Sequence, residues 1–506
     1  MGSTLSRLEV FTPYLTYPNL LSLAAAYCAL YLVVEAFYNL FINPNSIYPG
    51  PKLAAVTKHW ISVPWVAGNY PLIIKGLHEK YGPVVRIGPN ELSYSSASSW
   101  KDIYGHVGGR KVFTKSSFYN DGTEPSVVSE RDPHKHGRLR RLLSNGFSAR
   151  SLAEQEPVVH QFVDKFIMQI NKHVTNPKGD DMVKWYTFVA FDIIGDLAFG
   201  DPFGSLEDGK THFWVENVSK GVAAGKWIFA FQKNWILSNL IPQLVPKHLK
   251  IAREKHLNYC QGKIDKRLEE KNPKKDLLTV LIAKHNAGER FTPGEMRSNS
   301  QLIIVAGSET TATFLSGTSF YLCRNPATYK KLVDEIRGAF SSYDEITGLA
   351  TESLPYLKAV IDEGLRIYPP VPMGMPRVSP GETIDGKYVP EGTIVMTSSY
   401  AATHSELNFH RPDDFVPERW IDPNCTDKKE ASQPFLLGSR VCLGRSLALL
   451  EMRLILCKML WSYDMEMVNP EQEWFQENTF GMLWEKPKLP LRFIRREGVE
   501  VPPADY

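Results

Sequence analysis

Along the chain, long stretches of helical periodicity alternate with two short stretches of strand alternation, and one uninterrupted apolar run precedes them all. That run, residues 20–34, reads LLSLAAAYCALYLVV and carries no charge. A membrane-spanning helix needs roughly 20 mostly apolar residues. Tyr14 to Phe37 supplies them if Glu35 sits at an interface. Around Gly88-Pro89-Asn90, VVRI and ELSY alternate, which predicts a hairpin. Trp100 to Ser129 has no clear period and is rich in Gly and Ser. Ser151 to about Lys271 is mainly helical, with breaks near Pro177, Pro202 and Pro242. Thr292-Pro293-Gly294-Glu295 has the form of a helix start, with an N-cap Thr, Pro at N1 and a Glu closing a capping box. The long apolar helix it predicts stops at Asn325-Pro326. Residues 382–397 alternate again around Gly386 and Gly392, predicting more of the small sheet. LGRSLALLEMRLILCKML, residues 443–460, returns to helical spacing.

Composition narrows the picture only a little. The chain has 506 residues, a net charge of +3 and six cysteines. The mild basic balance points to no nucleic-acid partner. The cysteines (Cys28, Cys260, Cys323, Cys425, Cys442, Cys457) are scattered without C-x-x-C spacing, which argues against a disulfide framework or a structural zinc site. A cleaved signal peptide is the rival reading of the apolar run. It is weakened by the sparse basic residues before it, Arg7 alone, and by the run's continuing past Ala24 to Ala26. Lys52 and Lys58 follow the run and place the body on the cytosolic side. Tyr48-Pro49-Gly50-Pro51 predicts a stiff connection, since proline restricts its own φ and the residue before it. The expected organisation is an anchor segment over 1–42, a proline-rich hinge over 43–57 and one catalytic domain over 58–506.

The chemistry concentrates in Phe435 to Gly444, FLLGSRVCLG. Cys442 opens a predicted helix, where the dipole and free N–H groups favour a thiolate. It is the candidate ligand of a flat metal cofactor. Phe435 can shield the sulfur, Gly438 permits a tight turn, Arg440 offers a cation to an acidic cofactor rim, and Gly444 lets the backbone approach. In the long helix, AGSETT puts Ala306 and Thr310 on one face, with small Ala306 and Gly307 leaving room for a ring. Ser308, Glu309 and Thr310 are costly in an apolar helix unless something uses them.

FLLGSRVCLG matches F-x-x-G-x-R-x-C-x-G at every defined position, and the chain from about Pro49 onward resembles the cytochrome P450 family. Further motifs occur in the family's order. AGSET fills A-G-x-[DE]-T, Glu363 and Arg366 form E-x-x-R, and Pro417-Glu418-Arg419-Trp420 follows. The resemblance implies a mainly α fold with a small β region behind a transmembrane helix. It implies haem b with Cys442 as axial thiolate, and Thr310 and Glu309 as the pair that delivers protons for oxygen activation. It further implies a buried Glu363–Arg366–Arg419 network under the cysteine loop, and propionate contacts from Arg440, Arg377, Arg140 and His136. His136 stands where the family carries Trp.

By the same resemblance, Met373, Met375, Thr479 and Phe480 border the substrate, with plain packing the equal reading for the two methionines, and the aromatic segment 214–244 with Trp227, Phe229, Phe231 and Trp235 forms either a lid or an ordinary core. His404 reads as structural. NADPH electrons would come from NADPH–cytochrome P450 reductase, with cytochrome b5 as a second donor, and Arg445, Arg453 and Lys458, with Arg138 or Lys135, form a basic surface to dock the reductase's acidic flavin domain. The location implied is the endoplasmic reticulum membrane, single-pass, with the catalytic domain in the cytosol. The wording of several segments resembles fungal secondary-metabolite members such as the isotrichodermin C-15 hydroxylase-like group, whose substrates are apolar terpenoid or polyketide skeletons. Two alternatives are a haem-thiolate isomerase, lyase or dehydratase working without a reductase, and a non-catalytic membrane-anchored haem binder.

Overall fold

A computed structural model describes residues 17–499 apart from 107, 121–123, 218–220, 222–225, 228–229, 231–246, 270–276 and 278–290. The apolar run forms α1 (Tyr17–Phe37), none of whose residues is buried. One π-helical turn, Tyr38–Ile42, continues it, giving a candidate membrane span of 26 residues whose most apolar 18-residue stretch has a mean hydropathy of 1.9. Residues 43–51 then lie tightly against the body. Asn43 Nδ2 donates to Asn39 Oδ1 at 3.0 Å and to the Pro89 carbonyl at 3.3 Å. Asn45 Nδ2 donates to Asn90 Oδ1 at 2.6 Å and to Thr393 Oγ1 at 3.2 Å. The buried Arg86 guanidinium donates to the Asn39 carbonyl at 2.8 Å, and the Arg86 amide donates to the Pro49 carbonyl at 2.7 Å.

The helical body is built from α2 (Ala97–Tyr104), α3 (Pro133–Ser144), α4 (Ala149–His173), α5 (Met182–Phe199), α6 (Lys247–Glu269), α7 (Pro293–Arg324), α8 (Pro326–Ala339), α9 (Pro355–Ile367) and α10 (Arg445–Ser462), with shorter helices between them. α7 starts at the expected capping box. The Thr292 amide donates to Glu295 Oε2 at 2.9 Å, and the Glu295 amide donates to Thr292 Oγ1 at 3.1 Å. Almost every residue of α5 is buried, because α5 lies along α7 in the centre of the molecule. α7 and α9 approach closely at Gly317, where a Cβ would stand 2.2 Å from the Tyr368 ring. α10 packs on α4 and α7, and its residue Glu451 neighbours Thr311 of α7.

The strands are β1 (Val84–Gly88), β2 (Glu91–Tyr94), β3 (Thr114–Lys115), β4 (Asp180–Asp181), β5 (Arg377–Val378), β6 (Glu382–Ile384), β7 (Lys387–Val389), β8 (Ile394–Thr397), β9 (Tyr463–Met467), β10 (Thr479–Phe480), β11 (Trp484–Glu485) and β12 (Pro490–Arg495). The predicted hairpin is β1–β2, and it continues as a sheet in the order β1-β2-β8-β5-β3, parallel only between β2 and β8. Of the second alternating stretch, β8 joins this sheet, whereas β6 and β7 pair only with each other. The stretch without periodicity contains α2, whose inward face of Trp100, Ile103 and Tyr104 is masked in sequence by serines. Trp214 of the aromatic segment is buried and stacks on Phe203 with centroids 5.1 Å apart, while Trp227 is exposed. Phe229, Phe231 and Trp235 lie outside the described residues.

Candidate active site

Cys442 sits in the turn between the 3-10 turn Gly438–Arg440 and α10. Its amide donates to the Phe435 carbonyl at 2.8 Å, which closes the loop. Gly438 has a φ of +68°, and a Cβ there would stand 2.1 Å from the Tyr104 carbonyl oxygen. Leu436 also has a positive φ, 63°, which a non-glycine residue adopts only when its surroundings impose it. Cys442, Gly438 and Ser439 are exposed, and the other residues of the loop are half-buried. Desolvation still raises the thiol pKa, while the N–H groups of Gly444 and Arg445 and the Arg140 guanidinium pull it back. These are groups that favour a thiolate once a metal takes its proton's place. Phe435 is half-buried under the Arg445 guanidinium, 5.7 Å from its ring centroid.

Five basic side chains converge on one side of this loop. The Arg440 guanidinium donates to the Glu130 carbonyl at 2.7 Å, and Arg140 donates to the Val441 carbonyl at 2.6 Å. Arg377 donates to Tyr119 Oη at 3.1 Å and lies 5.0 Å above the Tyr104 ring. Lys115 donates to the carbonyls of Val127 and Val128. Their mutual repulsion is legible in their protonation. Burial, then Arg440 and Arg377, pushes Lys115 down to about 6. Burial, then Arg440, Lys115, Arg140 and Arg377, pushes His136 down to about 3, so its imidazole is neutral. Burial and Arg377 lower Arg440 to about 10. The Glu130 carboxylate offsets only part of this charge. An acidic cofactor edge is the complement such a cluster requires, so these residues fit a haem with its two carboxylates. Lys115 and Tyr119 were not foreseen from the sequence. They lie in the stretch without periodicity, and no local signal marks them.

The centre of α7 carries the second set of expected residues, and its Gly307 packs toward Ile194 of α5. Ala306 is exposed and Gly307 and Thr310 are half-buried, although Ile304, Ser308 and Glu309 around them are buried. Thr310 Oγ1 donates to the Ala306 carbonyl at 2.6 Å, which leaves its oxygen lone pairs as acceptors. Glu309 does not point into solvent; its Oε2 lies 3.4 Å from Lys486 Nζ. Across the helix, Glu451 of α10 is buried near Thr311, and burial raises its carboxyl to about 8 against the partial pull of the Thr311 hydroxyl. Met373 is buried in the main core, Met375 accepts from Tyr119 Oη with an O–S distance of 3.3 Å, and Phe480 is fully buried against Trp65 and Tyr70.

Below the cysteine loop the ionic network is complete. Arg366 donates to both Glu363 oxygens at 2.8 and 2.9 Å, Arg419 Nε donates to Glu363 Oε1 at 3.1 Å, and the charged groups of Glu363 and Arg366 are fully buried. The Trp420 indole donates to Glu363 Oε2 at 2.9 Å, and Arg419 also pairs with Asp427. These two partners extend the expected triad. His404 is buried and neutral, stacked on Tyr400 with centroids 3.9 Å apart, in a structural role. The expected basic docking face is smaller than its sequence. Lys458 is buried with Nζ 2.6 Å from Asp164, Arg453 pairs with Glu352 at 2.8 Å, and Arg138 pairs with Glu295. Arg445 and Lys135 are exposed.

A family model described as Cytochrome P450 matches residues 49–493. Curated relatives align over nearly the full length. Cytochrome P450 monooxygenase ORF9 of Penicillium roqueforti is 42% identical over 480 residues, 94% of this chain and 94% of that protein. Cytochrome P450 monooxygenase astA of Talaromyces wortmannii is 39% identical over 483 residues, 94% of this chain and 97% of its own. Averantin hydroxylase of Dothistroma septosporum is 39% identical over 480 residues, 92% of this chain and 90% of its own. With the cysteine loop, the basic cluster and the α7 centre brought together in one fold, the chain belongs to the cytochrome P450 family and is a monooxygenase related to those of fungi.

Proposed function

We propose that this enzyme inserts one oxygen atom from O2 into an apolar terpenoid or polyketide intermediate of fungal secondary metabolism: RH + O2 + NADPH + H⁺ → ROH + H2O + NADP⁺. Electrons reach it from NADPH–cytochrome P450 reductase, with cytochrome b5 as a second donor. α1 anchors it once through the endoplasmic reticulum membrane, with the catalytic domain on the cytosolic side. A relative named for hydroxylating averantin supports hydroxylation as the reaction class. The observation that carries the reading is the Cys442 thiol, met by the N–H groups of Gly444 and Arg445 and flanked by the basic cluster.

A haem held by the Cys442 thiolate would supply activation of O2 and cleavage of its O–O bond. The protein's own residues do the rest. Cys442 is the ligand. Gly444 permits the close approach of the backbone, and Phe435 keeps water from the sulfur. Arg440, Arg377 and Arg140 hold the acidic edge, and neutral His136 offers a single N–H to it. Ala306 makes room for the ring. Thr310, its own proton committed to the Ala306 carbonyl, accepts a hydrogen bond on the reacting side, and Glu309 passes protons inward. The test is the reduced, carbon-monoxide-bound difference spectrum of the membrane fraction, with Cys442→Ser beside the native chain. A red-shifted thiolate-type Soret band that the variant loses is expected. A histidine-type band in the native chain would overturn the reading.

A further inference from the structure

We propose that Lys486 is a positioning residue, which from the C-terminal hairpin fixes the Glu309 carboxylate against the turn of α7 that carries Thr310. Its Nζ lies 3.4 Å from Glu309 Oε2 and donates to Thr313 Oγ1 at 2.8 Å. Glu309 and Thr313 are one helical turn apart on one face, so the ammonium bridges two points of the same helix. Both charged side chains are nearly removed from water, 5% exposed for Lys486 and 10% for Glu309.

The lysine reaches α7 from a rigid base. The Phe480 amide of β10 donates to the Gly68 carbonyl at 2.8 Å, and the Trp484 indole of β11 donates to the Pro369 carbonyl at 2.9 Å. Trp484 also stacks on Tyr368 with centroids 5.3 Å apart. Glu485, the neighbour of Lys486, accepts from Thr479 at 3.0 Å and pairs with Lys226 at 3.2 Å. The Trp474 indole donates to the Pro487 carbonyl at 3.0 Å on the other side. Lys486 is thus held from both flanks and has little freedom to retreat.

An apolar side chain of similar length would fill the same space without the cost of burying a cation. What the ammonium adds is orientation: a hydrogen-bond donor and a counter-charge at a fixed point beside one carboxylate oxygen. A carboxylate that passes protons must return to the same rotamer in every turnover, and a doubly anchored cation returns it there. This inference rests on the reading that Glu309 relays protons.

The test uses the full-length, haem-loaded chain in lipid nanodiscs with its reductase, comparing the native protein with Lys486→Met, Lys486→Arg and Glu309→Gln. Three quantities are read: haem content, the infrared C–O stretch of the reduced carbon monoxide complex, and product formed per NADPH. Lys486→Met is expected to keep its haem, to shift or split the C–O band, and to lower product per NADPH about tenfold. Lys486→Arg is expected to restore most of both. An unchanged band and unchanged coupling in Lys486→Met, while Glu309→Gln uncouples, would overturn the inference alone. Unchanged coupling in Glu309→Gln would remove the proton-relay reading beneath it. Should Lys486→Met not retain haem, Thr313→Val removes one anchor without removing a charge. A split band there supports the inference, and an unaltered one defeats it.

Discussion

Glu309 and Glu451 are carboxyl groups on two helices that pack together, and they have different neighbours. Glu309 meets an ammonium. Glu451 meets a hydroxyl and apolar walls, which hold its proton up to about pH 8. A carboxyl whose pKa rises on folding binds more protons folded than unfolded between the two values. Stability then falls as pH climbs through that window. Between pH 4.5 and about 8, Glu451 should cost the native chain up to roughly 4 kcal/mol. Glu451→Gln is neutral throughout, so denaturant midpoints of the two proteins should coincide near pH 4.5 and separate toward pH 8.5, with the variant the more stable. Parallel midpoints across that range would contradict this. Nothing in LALLEMRL marks Glu451 as different from a surface glutamate. Its burial comes from α4 and α7 covering α10 on both sides. Cys442, by contrast, is legible from sequence because its loop needs glycine, arginine and a helix start at fixed offsets.

At the scale of elements, local signals translated well and distant ones did not. The α7 start was legible because a capping box closes within four residues. The small sheet was legible only as alternation, and its split into separate ladders depends on where β6–β7 turns away from β8. The asparagine stem was invisible for the same reason. Asn45 meets Thr393, and Arg86 meets Asn39, across long sequence separations. That stem makes a prediction about truncation. A chain beginning at residue 38 keeps Asn39, Asn43 and Asn45 and should unfold with the full chain's midpoint. One beginning at residue 46 leaves Arg86, Asn90 and Thr393 without these partners and should lose about 2–4 kcal/mol. Chemical denaturation of the two truncated proteins in the same detergent measures the difference.

For the whole molecule, the question is which surface meets the electron donor. The family resemblance suggests a basic face around α10, but pairing inside the fold consumes much of it. Lys458 is a core residue bound to Asp164, whereas Arg445 is exposed at the start of α10, beside the Cys442 loop. The two should therefore respond differently to charge reversal. Arg445→Glu should leave folding intact, raise the reductase concentration for half-maximal rate about three- to tenfold, and weaken the dependence of rate on salt. Lys458→Glu should set two carboxylates together in the interior and cost about 3–5 kcal/mol of stability. Steady-state titration with reductase at two ionic strengths, alongside thermal unfolding, separates these effects.

The basic cluster around Arg440 also bears on how much of this protein a cell can keep. The guanidiniums of Arg440, Arg377 and Arg140 repel one another and hold the protons of Lys115 and His136 off, with one carboxylate among them, until an acidic ligand arrives. Anything that binds the folded chain and not the unfolded one pulls the population toward the fold by mass action. A chain made faster than haem is supplied carries that repulsion unrelieved, and the cell's proteases draw on its unfolded fraction. Protein abundance would then follow porphyrin supply rather than transcript level.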